Sequence, residues 1–345
     1  MVQLSGEANS LMIARYLTKE TWEGSQETPI VDIMLKIGSR WRKVGLKLES
    51  HNPSGSIKYR TACGLITALE ASGRLAPGTH LVESTSGNLG VALAFLGQVR
   101  GYRFTAVTDP KADPVVLERI QSMGAAVISV REPDETGGFL LSRLAMIRQL
   151  LAEDQASIWP NQYQNPANPE IHYHETAPEI CRQRPGMDAV FIAASTGGTL
   201  AGIGRYLRSA SPSVKVVGVD IRGSRVFGFP SGKRLITGIG SSRPSLFLRP
   251  SDYDDVAIVD DQEAITACHY LQDNLGLGLG GSAGAVVAAC ARYLKTHPEI
   301  AQPVCICPDG SANYLNTLYS HAWLAEHDLD SILNLDSVAF SHVSR

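Results

Sequence analysis

One lysine and two glycine-containing loops carry most of the chemistry this sequence can do. Lys58 lies in HNPSGSIKYR (His51 to Arg60), after a Pro/Gly/Ser turn and at the start of a run with helical apolar spacing. An amine near the positive end of a helix and partly buried has a lowered pKa, which suits a Schiff-base amine. The local sequence alone fits an ordinary surface lysine too. The loops STSGNLG (Ser84 to Gly90) and STGGT (Ser195 to Thr199) each follow an apolar strand and open a helix. Unpaired N–H groups in a helix's first turn, helped by the dipole, bind phosphate or carboxylate, and glycine lets the ligand approach the backbone. Such turns also simply cap helices. His172 and His174 in EIHYHE alternate as a metal pair would, but no third ligand follows at a recognisable spacing, so no metal is expected.

The elements that must hold these groups repeat one grammar: an apolar β-branched run, a Gly/Ser/Thr turn, then helical spacing. That grammar is α/β. It runs through HLVESTSGNLGVALAFLG (His80 to Gly97), RFTAVTDP (Arg103 to Pro110) and AAVISV (Ala125 to Val130), with the helical PVVLERIQSMG (Pro114 to Gly124) between the last two. It resumes in AVFIAASTGGTLAGIGRYL (Ala189 to Leu207), VKVVGVD (Val214 to Asp220) and PVCICPDGSANYLNTLY (Pro303 to Tyr319), the last again read as strand, loop and helix. The Pro/Asn-rich WPNQYQNPANP (Trp159 to Pro169) is a candidate inter-domain crossing.

At 345 residues and 44% hydrophobic composition, two domains around sizeable cores are expected. A net charge of −3 with scattered Lys and Arg offers no basic stripe, which argues against nucleic acid as a partner. The start, MVQLSGEANSLMIARYL, has no basic segment followed by an apolar run, and no stretch reaches the ~18 apolar residues of a membrane span, so a cytoplasmic protein is expected. The six cysteines lack Cys-x-x-Cys spacing and read as reduced core residues. There is no P-loop, and Gly197-Gly198 begins no G-x-G-x-x-G fingerprint, which disfavours an ATPase or a dehydrogenase.

NPSGSIK, STSGNLG, NPANPEIHYHETAPEI and STGGT, in that order, resemble the cysteine synthase family of fold-type II pyridoxal-phosphate enzymes. The resemblance runs from about Thr28-Pro29 to Trp323. It implies a tryptophan synthase β-like fold of two three-layer α/β/α domains with the cofactor, pyridoxal 5'-phosphate, in the cleft. The expected division is a large cofactor-phosphate domain of 1–46 plus 165–345 and a small substrate-carboxylate domain of 47–164. Within the family, EPDETGGFLLSRLA (Glu132 to Ala145), VDIRGSRVFG (Val219 to Gly228), RLITGIGSSRP (Arg234 to Pro244) and YSHAWL (Tyr319 to Leu324) look like the branch of N-(2-amino-2-carboxyethyl)-L-glutamate synthases, which serve 2,3-diaminopropionate and siderophore biosynthesis.

Carried over by position, the resemblance makes Lys58 the Schiff-base lysine and catalytic base, and Ser195, Thr196, Gly197, Gly198 and Thr199 the phosphate cradle. Asn88 would bond the cofactor's ring oxygen. Thr85, Ser86, Gly87, Asn88 and Leu89, with Gln162, would hold the substrate carboxylate, and Tyr163 would border the substrate. The sulfhydrylases meet the pyridine nitrogen with a serine; in CPDGSANY its slot falls on Gly310, leaving Ser311 one residue late. Arg234 and Arg243 are candidates for the carboxylates of a glutamate acceptor, since arginine binds carboxylate bidentately, although surface or structural ion pairs would explain them as well.

The implied reaction is β-replacement on an activated L-serine, O-phospho-L-serine, through an aminoacrylate, with the amine of L-glutamate as nucleophile, in a homodimer. The alternatives are a cysteine synthase using O-acetyl- or O-phosphoserine with sulfide, a threonine deaminase-like elimination, and a non-catalytic binding or scaffold protein on the same fold.

Overall fold

The computed structural model describes residues 27–37, 39–134, 138–329 and 338–342. The amino-terminal segment read above for a leader lies outside them, as do residues 135–137 of the stretch Glu132 to Ala145.

Among the described residues, ten strands form two sheets. In chain order they are β1 (Ile30–Ile37), β2 (Arg40–Leu48), β3 (His80–Ser84), β4 (Arg103–Thr108), β5 (Ala126–Ser129), β6 (Ala189–Ala193), β7 (Lys215–Ile221), β8 (Asp255–Val259), β9 (Pro303–Cys307) and β10 (Val338–His342). The larger sheet has the order β10-β1-β2-β9-β6-β7-β8, and the smaller is β3-β4-β5. The small sheet and the run from β2 to β8 are parallel, while β1 pairs antiparallel with both β2 and β10.

The helices are α1 (Lys58–Ala71), α2 (Asn88–Arg100), α3 (Pro114–Ser122), α4 (Leu140–Glu153), α5 (Ala167–Ile171), α6 (Ala177–Gln183), α7 (Gly198–Ala210), α8 (Asp261–Leu275), α9 (Gly281–Thr296) and α10 (His321–Glu326). A π-helical turn, His172–Thr176, joins α5 to α6. Sequence signals account for the boundaries. Asp113 caps α3 by accepting from Val115 N at 2.8 Å with Pro114 at the first position, and Asp260 and Glu263 form a capping box on α8.

Strand alternation builds the layers. In β6, Ala189 and Phe191 face the core beneath α8 and α9, whereas Val190 and Ile192 face the core beneath α6 and α7. Cys305 and Cys307 side with the first core and Val304 and Ile306 with the second. Burial on both faces explains why these strands read as continuous apolar runs. The small sheet behaves alike: Leu81, Phe104 and Ala106 pack with α1 to α3, and Val82 and Val107 pack with Ile147 of α4. Both sheets are therefore covered by helices on two faces, the three-layer arrangement expected.

Two local readings change. Cys63 and Cys181 are half-buried, whereas the other four cysteines belong to the core. After β9 the chain does not form the expected helix: Ser311–Asn313 is a single 3-10 turn, tight turns follow to Ser320, and α10 starts only at His321. Buried Tyr314 anchors that bend through its hydroxyl on Asp309 and through its carbonyl, which accepts from Thr317 N at 3.1 Å and Tyr319 N at 3.2 Å.

Candidate active site

The loops after β2, β3, β6 and β9 all leave the carboxyl ends of parallel strands, where open α/β sheets bind ligands. They bring four groups together.

The first is Lys58, the opening residue of α1. The turn before it is pinned to the end of β9, since Ile57 N donates to Pro308 O at 2.8 Å and Ser56 bridges to Asp309. Gly55, at φ +82°, takes the left-handed conformation the turn needs. Two residues along α1, buried Arg60 donates to Glu49 (2.8 Å) and Glu179 (2.7 Å), and Lys47 also reaches Glu179. This internal ion cluster fixes α1 to β2 and α6. Burial lowers the Lys58 pKa to about 8, while the carboxylate of Asp309 opposes the shift.

The second group is the loop after β6. Gly197, at φ +89°, turns the chain so that α7 begins at Gly198. A Cβ on Gly197 would strike Ser245 Oγ, and one on Gly198 would strike the side chain of Asn168. The side chains around the loop hold its shape. Ser195 Oγ donates to Gly240 O at 3.1 Å, Ser245 Oγ to Thr196 O at 2.6 Å, and Asn168 Nδ2 to Thr196 Oγ1 at 3.2 Å. Buried His172 shares its Nε2 between Thr199 and Thr61, each at 3.2 Å, with Thr176 on Nδ1 at 2.9 Å. Burial, reinforced by the Lys58 and Arg60 cations, drives its pKa well down. His172 is therefore a neutral imidazole joining the lysine helix to the loop, and no cluster of potential metal ligands occurs among the described residues.

The third group is the loop Thr85 to Leu89 at the start of α2. Thr85 N donates to Val107 O at 2.9 Å, and Thr85 Oγ1 accepts from Gly90 N at 3.0 Å, which fixes the loop to β4 and to the first turn of α2. Gln162 is placed beside it, donating from Nε2 to Ser84 O at 3.0 Å. Glu83 organises that pairing by accepting from Gln162 N (3.1 Å), Ser84 N (2.9 Å) and Trp159 Nε1 (2.9 Å). Tyr163 follows, and the guanidinium of Arg243 lies 4.6 Å from its ring centroid.

The fourth group was not legible in the sequence. Asp309 is buried and accepts from Asn88 Nδ2 at 2.7 Å, from Tyr314 and from Ser282 Oγ at 3.5 Å. Ser282 sits buried in the first turn of α9. Ser311, the residue carried over for the ring nitrogen, is half-buried with its hydroxyl packed against Gly278. Arg234 is half-buried beside Gly240, the residue whose carbonyl accepts from Ser195: its Nη1 donates to Ile239 O at 3.4 Å, and burial lowers its pKa while the carboxylates of Asp220 and Asp261 oppose the shift. Arg143 was missed as well. From α4 it pairs with Asp109 at 3.2 Å, its Nε lacks a partner, and its charge acts on Tyr163. An arginine inside the otherwise apolar FLLSRLAMI was the available signal.

A depressed lysine beside a glycine-lined, N–H-rich cradle fits a phosphate-bearing aldehyde cofactor. Asn168 Oδ1, buried without a partner and pressed to Gly198, adds a polar atom at the cradle wall. The family of pyridoxal-phosphate-dependent enzymes matches residues 22–309. The chain belongs to this family. Its cofactor is pyridoxal phosphate, and its fold is type II.

Among the relatives of this pyridoxal-phosphate enzyme, the N-(2-amino-2-carboxyethyl)-L-glutamate synthase of Ralstonia nicotianae is 43% identical over 300 residues, covering 86% of this chain and 88% of the relative. The synthase of the same name from Cupriavidus metallidurans is 42% identical over 308 residues, covering 88% and 90%. Among solved structures, an O-ureido-L-serine synthase superposes with a TM-score of 0.76 at 32% identity, covering 87% of this chain and 96% of that one. No helix among the described residues is long and apolar enough to cross a membrane.

Proposed function

We propose that the chain catalyses β-replacement on O-phospho-L-serine with the amine of L-glutamate as the incoming group, giving N-(2-amino-2-carboxyethyl)-L-glutamate. The observation that carries the choice of acceptor is the Arg243 guanidinium stacked on Tyr163, next to Gln162 and the loop Thr85 to Leu89. Sulfide needs no cation there, whereas glutamate brings two carboxylates. The names of the two bacterial relatives point the same way.

In this reading the half built on β3 to β5 holds the serine carboxylate, through the first turn of α2 and Gln162, and the half built on the larger sheet holds the cofactor phosphate through Ser195 to Thr199. Asn88 would bond the cofactor's ring oxygen, and Ser282 would offer a neutral hydroxyl to its ring nitrogen. When bound, the cofactor supplies an electron sink for the carbanion at Cα. Lys58, with its pKa near 8, takes the α-proton and returns it once the acceptor amine has added at Cβ and phosphate has left. Carboxylate binding orients the Cα–H bond toward Lys58, and exact placement of this kind contributes several kcal/mol, roughly 7 or more in the best intramolecular cases.

Incubation of the purified protein with O-phospho-L-serine and either glutamate or sulfide, followed by mass analysis, tests the proposal. A glutamate adduct is expected. Replacing Arg243 by methionine should raise KM for glutamate while leaving KM for O-phospho-L-serine in place. Cysteine formed from sulfide with no glutamate adduct would make the protein a cysteine synthase instead, and no turnover of any serine ester would favour a binding protein.

A further inference from the structure

Asn88 is held from both ends of its amide by residues of the opposite half. Its Nδ2 donates to Asp309 Oδ2 at 2.7 Å, and its Oδ1 accepts from Asn313 Nδ2 at 2.8 Å. Asn313 Oδ1 in turn accepts from Arg119 Nη1 at 2.6 Å, and Arg119 Nη2 reaches Ser54 O at 3.4 Å. The four residues make one chain: Arg119 on α3, Asn313 in the bend after β9, Asn88 on α2, Asp309 at the end of β9. It crosses between the two halves at every link.

The Arg119 end of this chain is chemically unambiguous, because a guanidinium only donates. At the other end burial raises the pKa of Asp309, and the donors around it together with the Lys58 charge oppose that shift. Arg119 has no carboxylate beside it among the described residues, so its donors go to neutral oxygens. Asp309 faces donors on all sides, from Asn88, Tyr314 and Ser282. Each amide between them could flip by itself, but with fixed ends only one orientation of both satisfies every link. The direction of donation runs from Arg119 to Asp309 without a break.

We propose that Arg119 and Asn313 are positioning residues that polarise this chain, holding the Asn88 amide in one orientation and the loop Thr85 to Leu89 against the larger half. The role rests on the reading of that loop as the serine-carboxylate site. Neither residue touches the reacting atoms. Both act through Asn88, whose second N–H stays available to the cofactor's ring oxygen only while the first is committed to Asp309.

Replacing Asn313 by aspartate separates direction from mere attachment. The side chain is isosteric and would gain an ion pair with Arg119, so a simple latch between the halves would tighten. A polarised chain would break, because two acceptors would then face each other at Asn88 Oδ1. The measurement is hydrogen exchange at the amides of residues 85–91 in the full chain, with and without added pyridoxal phosphate, together with KM for O-phospho-L-serine. With Asn313→Asp, exchange about tenfold faster and KM about tenfold higher are expected, the loss of one buried amide–amide hydrogen bond. Arg119→Met should move both in the same direction, and Arg119→Lys, which still donates to Asn313, should restore them. Unchanged or slower exchange in Asn313→Asp overturns the proposal, as does Arg119→Met exchanging like the parent. If O-phospho-L-serine is not a substrate at all, the assignment of function fails while exchange still decides the chain.

Discussion

Replacing Gly202 by alanine should weaken cofactor binding without unfolding the chain. Gly202 lies one turn into α7, where that helix crosses the segment from α5 into the π-helical turn. A Cβ there would stand 2.8 Å from His172 Cβ, 2.9 Å from Tyr173 N and closer still to Pro169 O. Carbon atoms pack at roughly 3.5–4.0 Å, so α7 must retreat by roughly half an ångström or more. Its amino end is the phosphate cradle, and hydrogen bonds of this type work only between about 2.7 and 3.2 Å. Overpacking of a tight contact costs about 1–3 kcal/mol, which corresponds to roughly a 5- to 150-fold rise in the cofactor dissociation constant. Alanine favours the helix itself by up to ~1 kcal/mol over glycine, so lost affinity would not reflect a weaker helix. The assay is titration of cofactor-free chain with pyridoxal phosphate, read from the visible band of the lysine-bound cofactor, with Ser209→Ala on the exposed face of α7 as the control. A Gly202→Ala dissociation constant equal to the parent's would refute the argument that this close crossing aims the cradle.

Other outcomes follow from buried charge. With Lys58 held to about 8, the rate at which cofactor-free chain takes up pyridoxal phosphate should rise with pH and level off above about 8, whereas an unshifted lysine would keep climbing toward 10; stopped-flow absorbance across pH 6–10 decides. Burial raises the Glu83 carboxyl to about 7 against three neighbouring N–H donors, so the folded chain binds its proton more tightly than the unfolded chain does. Stability from this group is intact below about pH 4.5 and falls by about 3 kcal/mol as pH rises through 7. Urea midpoints at pH 5 and 8 should show that decline in the parent and lack it in Glu83→Gln. Arg60→Met leaves Glu49 and Glu179 buried without their shared guanidinium and should cost about 3–5 kcal/mol in urea unfolding; a loss below 1 kcal/mol would show that Lys47 alone balances both acids.

What the sequence disclosed were features made by neighbouring residues. Lys58 after its Pro/Gly/Ser turn, and the two loops between an apolar strand and a helix, are local patterns. The alternating cores of β6 and β9 follow from strand periodicity. What stayed hidden arises from residues far apart in the chain. Asp309 matters because β9 delivers it between Asn88 and Lys58, and His172 because three threonines from three elements converge on it. The helix expected after β9 failed for a similar reason. NYLNTLY has acceptable helical spacing, yet a buried hydroxyl–carboxylate bond from Tyr314 to Asp309 bends the chain instead.

The π-helical turn at His172–Thr176 acts as a phase adjuster between two clients of one rod. An α-helix advances about 100° per residue, and a π turn accommodates one extra residue without breaking the helix. Upstream of it Asn168, and at its first residue His172, look toward the loop that opens α7; downstream, Glu179 looks toward Arg60 and Lys47. Remove the extra residue, and the downstream face swings by about 100°, carrying Glu179 away from two buried cations while His172 keeps its place. The segment can therefore absorb many side-chain exchanges, but its length is fixed to the residue: insertion or deletion there acts as a rotation, forcing the rod to serve either the cradle or the lysine's helix, and not both.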